Sequence, residues 1–168
     1  MKTADEIKAF HVSTGRDKDL IFEGQEDLLR RVENEGDEKS FRYSGYKCYI
    51  RRQPIFRHLC GYIRLEESHP LHGMGYDEIE ELFEWELPTH GGLTFAGHLV
   101  DKRGYWIGFD CAHSDDLTPF QVARQQYLMG YEEYRTVEYV EEAIQRTIDY
   151  ITQNLIDADT KQLENGGN

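Results

Sequence analysis

Leu93-Thr94-Phe95-Ala96-Gly97-His98-Leu99-Val100, then Asp101-Lys102-Arg103-Gly104, then Tyr105-Trp106-Ile107-Gly108-Phe109-Asp110-Cys111 read together as a β-hairpin. The two runs are rich in aromatic and β-branched residues, and the charged linker ends in a glycine suited to a tight loop. Setting Val100 opposite Tyr105 puts Phe95 opposite Asp110 and, by extension, Gly92 level with His113. An antiparallel sheet follows from this pair.

Two further strands lie upstream. Tyr46 to Arg52 alternates Tyr46, Cys48 and Ile50 against Lys47, Tyr49 and Arg51. His58 to Leu65 sets Leu59, Ile63 and Leu65 opposite Cys60, Tyr62 and Arg64. Their connection, which contains Pro54, is too short for a parallel crossover, so they too pair antiparallel. Before them, Leu28, Leu29 and Val32 can share one face of a helix over 26–32, and Asn34-Glu35-Gly36-Asp37 reads as a turn. After them, a turn-rich loop over 66–76 leads into a short helix from Asp77 to Phe83, with Asp77 and Glu78 near its positive end.

Downstream of the hairpin, Pro119 opens a short helix over 120–129 that Gly130 ends. Val137, Val140, Ile144, Ile148, Ile151 and Leu155 then recur every three or four residues, the stripe of a long helix that docks on a sheet. The expected fold is α+β: an antiparallel sheet of at least four strands packed by a long C-terminal helix. Residues 1–161 form one globular domain in this reading, with an acidic segment over 1–40, and 162–168 form a disordered tail.

The formal charge of -13 is unevenly spread, about -4 over residues 1–40, -2 over 41–113 and -7 over 114–168. Such acidity argues against direct nucleic-acid binding, which needs clustered Lys and Arg to displace counterions. No apolar run has the length of a membrane helix, and the N-terminus lacks the apolar centre of a signal peptide, so a cytoplasmic protein is expected. Cys48, Cys60 and Cys111 lack CxxC spacing and fit reduced thiols.

The candidate site gathers around the hairpin. His90, Asp110 and His113 are candidates for acid/base work or for metal ligation, while Gly91, Gly92 and Thr94 can let a ligand approach the backbone. Strict alternation turns Asp110 away from the two histidines, so convergence needs a bulge or strand end. Asp115 and Asp116 can extend a metal set with His113, although Asp116 or Thr118 before Pro119 equally suits a helix cap. Cys111 is a nucleophile only if it escapes burial. His69 and His72, three residues apart, supply half a metal site. Arg51, Arg52, Arg57 and Arg64 offer either an anion-binding wall, with Arg51 and Arg64 as ligand contacts, or ordinary ion pairs. A hydrogen-bonded structural network is the competing reading of the whole cluster.

His90-Gly91-Gly92-Leu93-Thr94-Phe95, Trp106-Ile107-Gly108-Phe109-Asp110-Cys111-Ala112-His113 and Tyr134-Arg135-Thr136-Val137-Glu138-Tyr139-Val140 resemble motifs of a group of small phage and prophage proteins. The likeness spans roughly residues 46–145. It implies an accessory protein of a phage or mobile element acting in the host cytoplasm, and it carries over neither an activity nor a cofactor. Two functions fit these features. One is a pocket for a small anionic molecule, such as a nucleotide, acting by sequestration or hydrolysis. The other is an acidic inhibitor that engages a basic surface of a host protein, as a nucleic-acid mimic would.

Overall fold

A computed structural model describes residues 18–123 and 131–165 of the chain. Five strands form one fully antiparallel sheet: β1 (Glu38–Tyr43), β2 (Tyr46–Arg52), β3 (Leu59–Leu65), β4 (Phe95–Gly97) and β5 (Tyr105–Asp110), in the order β1-β2-β3-β5-β4. Among the described residues four helices accompany it, α1 (Lys18–Glu35), α2 (Tyr76–Leu82), α3 (Pro119–Ala123) and α4 (Val137–Asn165). The α+β architecture with a long C-terminal helix on the sheet is the one expected.

Alternation divides the sheet into two unlike faces. Cys48, Ile50, Leu59, Ile63, Leu65, Ile107 and Phe109 point to one side, where Val140, Ile144, Ile148 and Ile151 of α4 bury them. The helix stripe therefore packs as its spacing requires, and hydrophobic burial on this scale is the main force holding the fold. Gly61 of β3 leaves no room for a side chain beneath the helix. A Cβ there would sit 2.8 Å from the ring tip of Phe109 and 3.0 Å from Val140. Gly61→Ala is accordingly expected to cost about 1–3 kcal/mol through overpacking, read as an earlier urea midpoint. An unchanged midpoint would show that α4 can back away freely.

Strand β1 is absent from the sequence reading. Its residues Glu38-Lys39-Ser40-Phe41-Arg42-Tyr43 are polar because it is an edge strand whose residues are mostly exposed, and charged edges discourage pairing with other chains. Ser44 and Gly45, with φ of 46° and 85°, make the two-residue turn into β2.

At the other edge, the expected strand over 93–100 contracts to Phe95–Gly97. Phe95 pairs with Gly108 rather than Asp110, a slip of two residues, and Asp110 pairs with Cys60 of β3. An even slip keeps every side chain on its expected face. The cause lies in the connection, which runs over 98–104 and leaves Val100 fully exposed at its tip. C-terminally, α4 continues to Asn165, so the tail expected from 162 is helical at its start; 166–168, residues 1–17 and the end of the helix expected over 120–129 lie outside the described residues. No described helix is long and apolar enough to cross a membrane.

An ion-pair cluster ties α1 to the sheet. The Arg52 side chain is fully buried and donates to Glu35 (3.1 Å), to the carbonyls of Gly36 and Arg57, and to the Tyr134 hydroxyl. Tyr134 in turn donates to Glu35 at 2.6 Å. Burial, reinforced by the Glu35 carboxylate, raises the Tyr134 phenol well above its usual range, so it remains a donor.

Candidate functional site

The sequence-predicted histidines do meet, but around a different carboxylate. His90 lies in the loop between α2 and β4, His113 and Asp116 follow β5, and Arg135 and Tyr139 flank the start of α4. His90 Nε2 lies 2.9 and 2.8 Å from the two Asp116 oxygens, and His113 Nδ1 lies 3.3 Å from Asp116 Oδ2. The His113 backbone N–H donates to the same oxygen at 2.8 Å, and Arg135 Nε donates to Oδ1 at 2.8 Å. Asp116 is buried and His90 nearly so, whereas the His113 side chain is 32 % exposed.

Local backbone pairing explains the convergence. Glu133 N–H donates to Asp115 O and Leu117 N–H to Glu133 O, which clips residues 115–117 beside 131–133 and delivers Arg135 to Asp116. Thr118 caps α3 by exchanging hydrogen bonds with Gln121, so the cap role falls to Thr118 and leaves Asp116 to the histidines. Across the site, buried Glu80 accepts the Leu93 N–H at 2.5 Å and fixes the His90-Gly91-Gly92 loop. Gly91, at φ 72°, lies against the His113 ring, where a Cβ would collide with Nε2.

The chain matches no known protein family, no curated protein and no solved structure.

Burial alone would raise the Asp116 carboxyl, but hydrogen bonds from His90, Arg135 and the His113 N–H outweigh it and hold the group well below the carboxylate range. An ionised carboxylate only accepts, so His90 Nε2 and His113 Nδ1 carry the protons that face it. The Tyr139 hydroxyl lies 2.8 Å from His90 Nδ1 and fixes the other side of the ring. His113 Nε2 is the ring nitrogen beside Gly91. The arrangement can orient an imidazole for proton transfer or, with the protons moved, gather a cation.

Several expected contributors stand apart. Asp110 is spent on the Ala112 N–H at 3.1 Å and points to the opposite sheet face from the helix, as alternation demands, so it joins neither histidine. Cys111 is buried, and burial drives its thiol far above the thiolate range, which removes it as a nucleophile. Burial likewise pushes Cys48 and Cys60 up to about 11. Gly92, at φ 93°, turns the loop, and Thr94 donates its N–H to Gly108 O, both backbone duties. His69 is held by the Tyr46 hydroxyl and by the Leu71 N–H, and His72 packs on Tyr105.

The four arginines also part company. Arg52 and Arg57 belong to the Glu35 and Asp37 cluster, and Arg51 pairs with Asp101 at 3.1 Å. Arg64 alone enters an open groove of about 670 Å³ on the face of the sheet away from α4. There Arg42 pairs with Lys47 across β1 and β2, Arg64 pairs with Trp106 across β3 and β5, and the β2–β3 register carried one residue further sets Lys47 opposite Arg64. Three cations thus stand in one cross-strand row. Lys102, whose ammonium lies 4.2 Å from the Tyr49 ring centre, and Arg103 overhang it. Among the described residues no carboxylate lies within ion-pair distance of Arg42, Lys47, Lys102 or Arg103. Arg64 reaches only Glu66, at 3.4 Å, and its Nε is buried without a hydrogen-bond partner.

Proposed function

We propose that this chain is an accessory protein of a phage or mobile element that binds a small anionic molecule of the nucleoside-phosphate class in the groove over Trp106. The single observation behind this reading is the row Arg42, Lys47, Arg64 with Lys102 and Arg103 above it, in a chain of charge -13. Like charges set opposite one another across strands repel, and acidic residues are abundant elsewhere in the chain to neutralise them. A phosphate ester relieves that repulsion and forms charge-assisted hydrogen bonds with guanidinium and ammonium groups. In the next row the partly exposed rings of Tyr62 and Phe95 supply flat apolar surface for a base.

Sequestration fits the groove better than hydrolysis. Its lining residues include no carboxylate and no histidine, and the Cys48 side chain points to the other face of the sheet, into the core under α4. The His90 cluster belongs to the other end of β5: Trp106 and Asp110 are four residues apart, roughly 14 Å along a strand. The expected pocket uniting Arg64 with His90 and His113 is therefore two separate places.

Titration calorimetry with nucleoside mono-, di- and triphosphates and with inorganic phosphate tests the reading. Affinity is expected to rise with phosphate number and to fall with salt. Lys47→Glu with Lys102→Glu is expected to weaken binding at least about 100-fold, since a hydrogen bond to a charged group contributes about 1.5–3 kcal/mol. Equal affinity in the double variant, or no binding of any phosphate, would sink the proposal.

A further inference from the structure

The geometry points to a second site, independent of the groove: we infer that His90 Nε2, His113 Nδ1 and Asp116 Oδ2 bind one divalent transition metal of the zinc class. The three residues each offer a donor atom within 4.8 Å of the others, and the Asp116 to His113 separation of 3.3 Å is what two ligands of a tetrahedral ion with bonds near 2.0 Å require, while the His90 to Asp116 separation of 2.8 Å opens by about 0.5 Å when the metal replaces their hydrogen bond. Two imidazoles and one carboxylate are a borderline ligand set that suits zinc, and a half-exposed His113 leaves the fourth position to solvent or substrate.

Charge supports a cation here. Arg135 donates to Asp116 Oδ1 (2.8 Å), to Glu133 (2.7 Å) and to Asp115 (3.3 Å). Three carboxylates thus face one guanidinium, and with neutral imidazoles the cluster carries two uncompensated negative charges. Arg135 occupies Oδ1 and orients the carboxylate, so Oδ2 is the oxygen turned toward both histidines. Tyr139 supplies the outer partner that ligating histidines ordinarily have.

Binding conserves protons if each ring changes tautomer. The His90 proton moves from Nε2 to Nδ1, where it is donated to the Tyr139 oxygen, and the His113 proton moves from Nδ1 to Nε2. Both lone pairs then face the metal.

The test uses the full chain, stripped with a chelator and titrated with Zn2+ by calorimetry and with Co2+ by visible absorption. One equivalent of each metal is expected, with the intense visible bands of a low-symmetry four-coordinate cobalt centre. Tyr139→Phe should weaken zinc binding by about 10-fold with the fold intact, and His113→Ala by more than about 100-fold. His69→Ala and His72→Ala should leave it unchanged. Overturning results are a featureless cobalt spectrum, or zinc affinity that His113→Ala and Tyr139→Phe leave untouched while circular dichroism shows both folded. Phosphate binding in the groove is measured with chelator present, so either assignment can fail alone.

Discussion

Arg52→Ala is expected to lower the stability of the protein by about 4 kcal/mol, the cost of breaking a buried ion pair by removing one partner. The Arg52 side chain is 0 % exposed and that of Glu35 is 7 % exposed, so the carboxylate loses its buried cation and is left with Arg31 at 3.3 Å and the Tyr134 hydroxyl at 2.6 Å, without regaining hydration unless the junction of α1 with β2 opens. The carbonyls of Gly36 and Arg57 and the Tyr134 hydroxyl lose a donor at the same time. Asp37, at 3.4 Å from Arg52 and 2.8 Å from Arg57, keeps its second partner and contributes little to the loss.

A double-mutant cycle separates this account from simple loss of packing. Arg52→Ala and Glu35→Ala should each destabilise strongly in urea, and the double variant should cost about 1–3 kcal/mol less than their sum, because the buried contact between them is then lost only once. Strict additivity would mean that the two residues act independently. A cost below about 1 kcal/mol for Arg52→Ala would mean that water reaches Glu35 after all.

The sequence shows where its own patterns run out. The stripe from Val137 to Ile151 places α4 on the sheet because a long period-3.6 repeat has few other ways to be buried. Strands β2, β3 and β5 are visible for the same reason, since one face of each is sealed by that helix. Edge strand β1 carries no such pattern, its residues being mostly exposed. The hairpin register slipped by two because Val100 reads as a strand residue, although in the fold it is a fully exposed loop tip. Asp116 lost ground to Asp110 through its nearness to Pro119; the run Thr118-Pro119-Phe120-Gln121 is a capping box, and reading it as one releases Asp116. Arg135 and Tyr139 are distant from the hairpin in sequence, and neither alternation nor motif spacing ties them to it. The groove is harder still, because Arg42, Lys47, Arg64, Lys102 and Arg103 come from four segments that only the sheet register lines up.

Asp116→Asn, measured with chelator present, is expected to cost about 3 kcal/mol and to lower the melting temperature by roughly 9 °C. The carboxylate is 1 % exposed and accepts from four donors: His90 Nε2, His113 Nδ1, the His113 N–H and Arg135 Nε. An asparagine offers one oxygen in place of two and turns an amide N–H toward groups that are themselves donors, so at least one buried donor is left without an acceptor. The pH dependence carries a sign that a packing defect would not reproduce. Asp116 is held below its ordinary value of 3.8, so its contribution is fully present above that value and is lost as pH falls through the acid range. Asparagine does not titrate. The stability gap between the two proteins should therefore narrow below about pH 4, where the unfolded wild-type chain takes up a proton that the native Asp116 does not. A gap unchanged down to pH 3 would show that the carboxylate charge contributes nothing and that only the shape of the side chain matters. His90→Phe supplies the contrast: it removes a donor and leaves Asp116 ionised by Arg135 and the His113 N–H, so the acid-range loss of stability should persist in that variant.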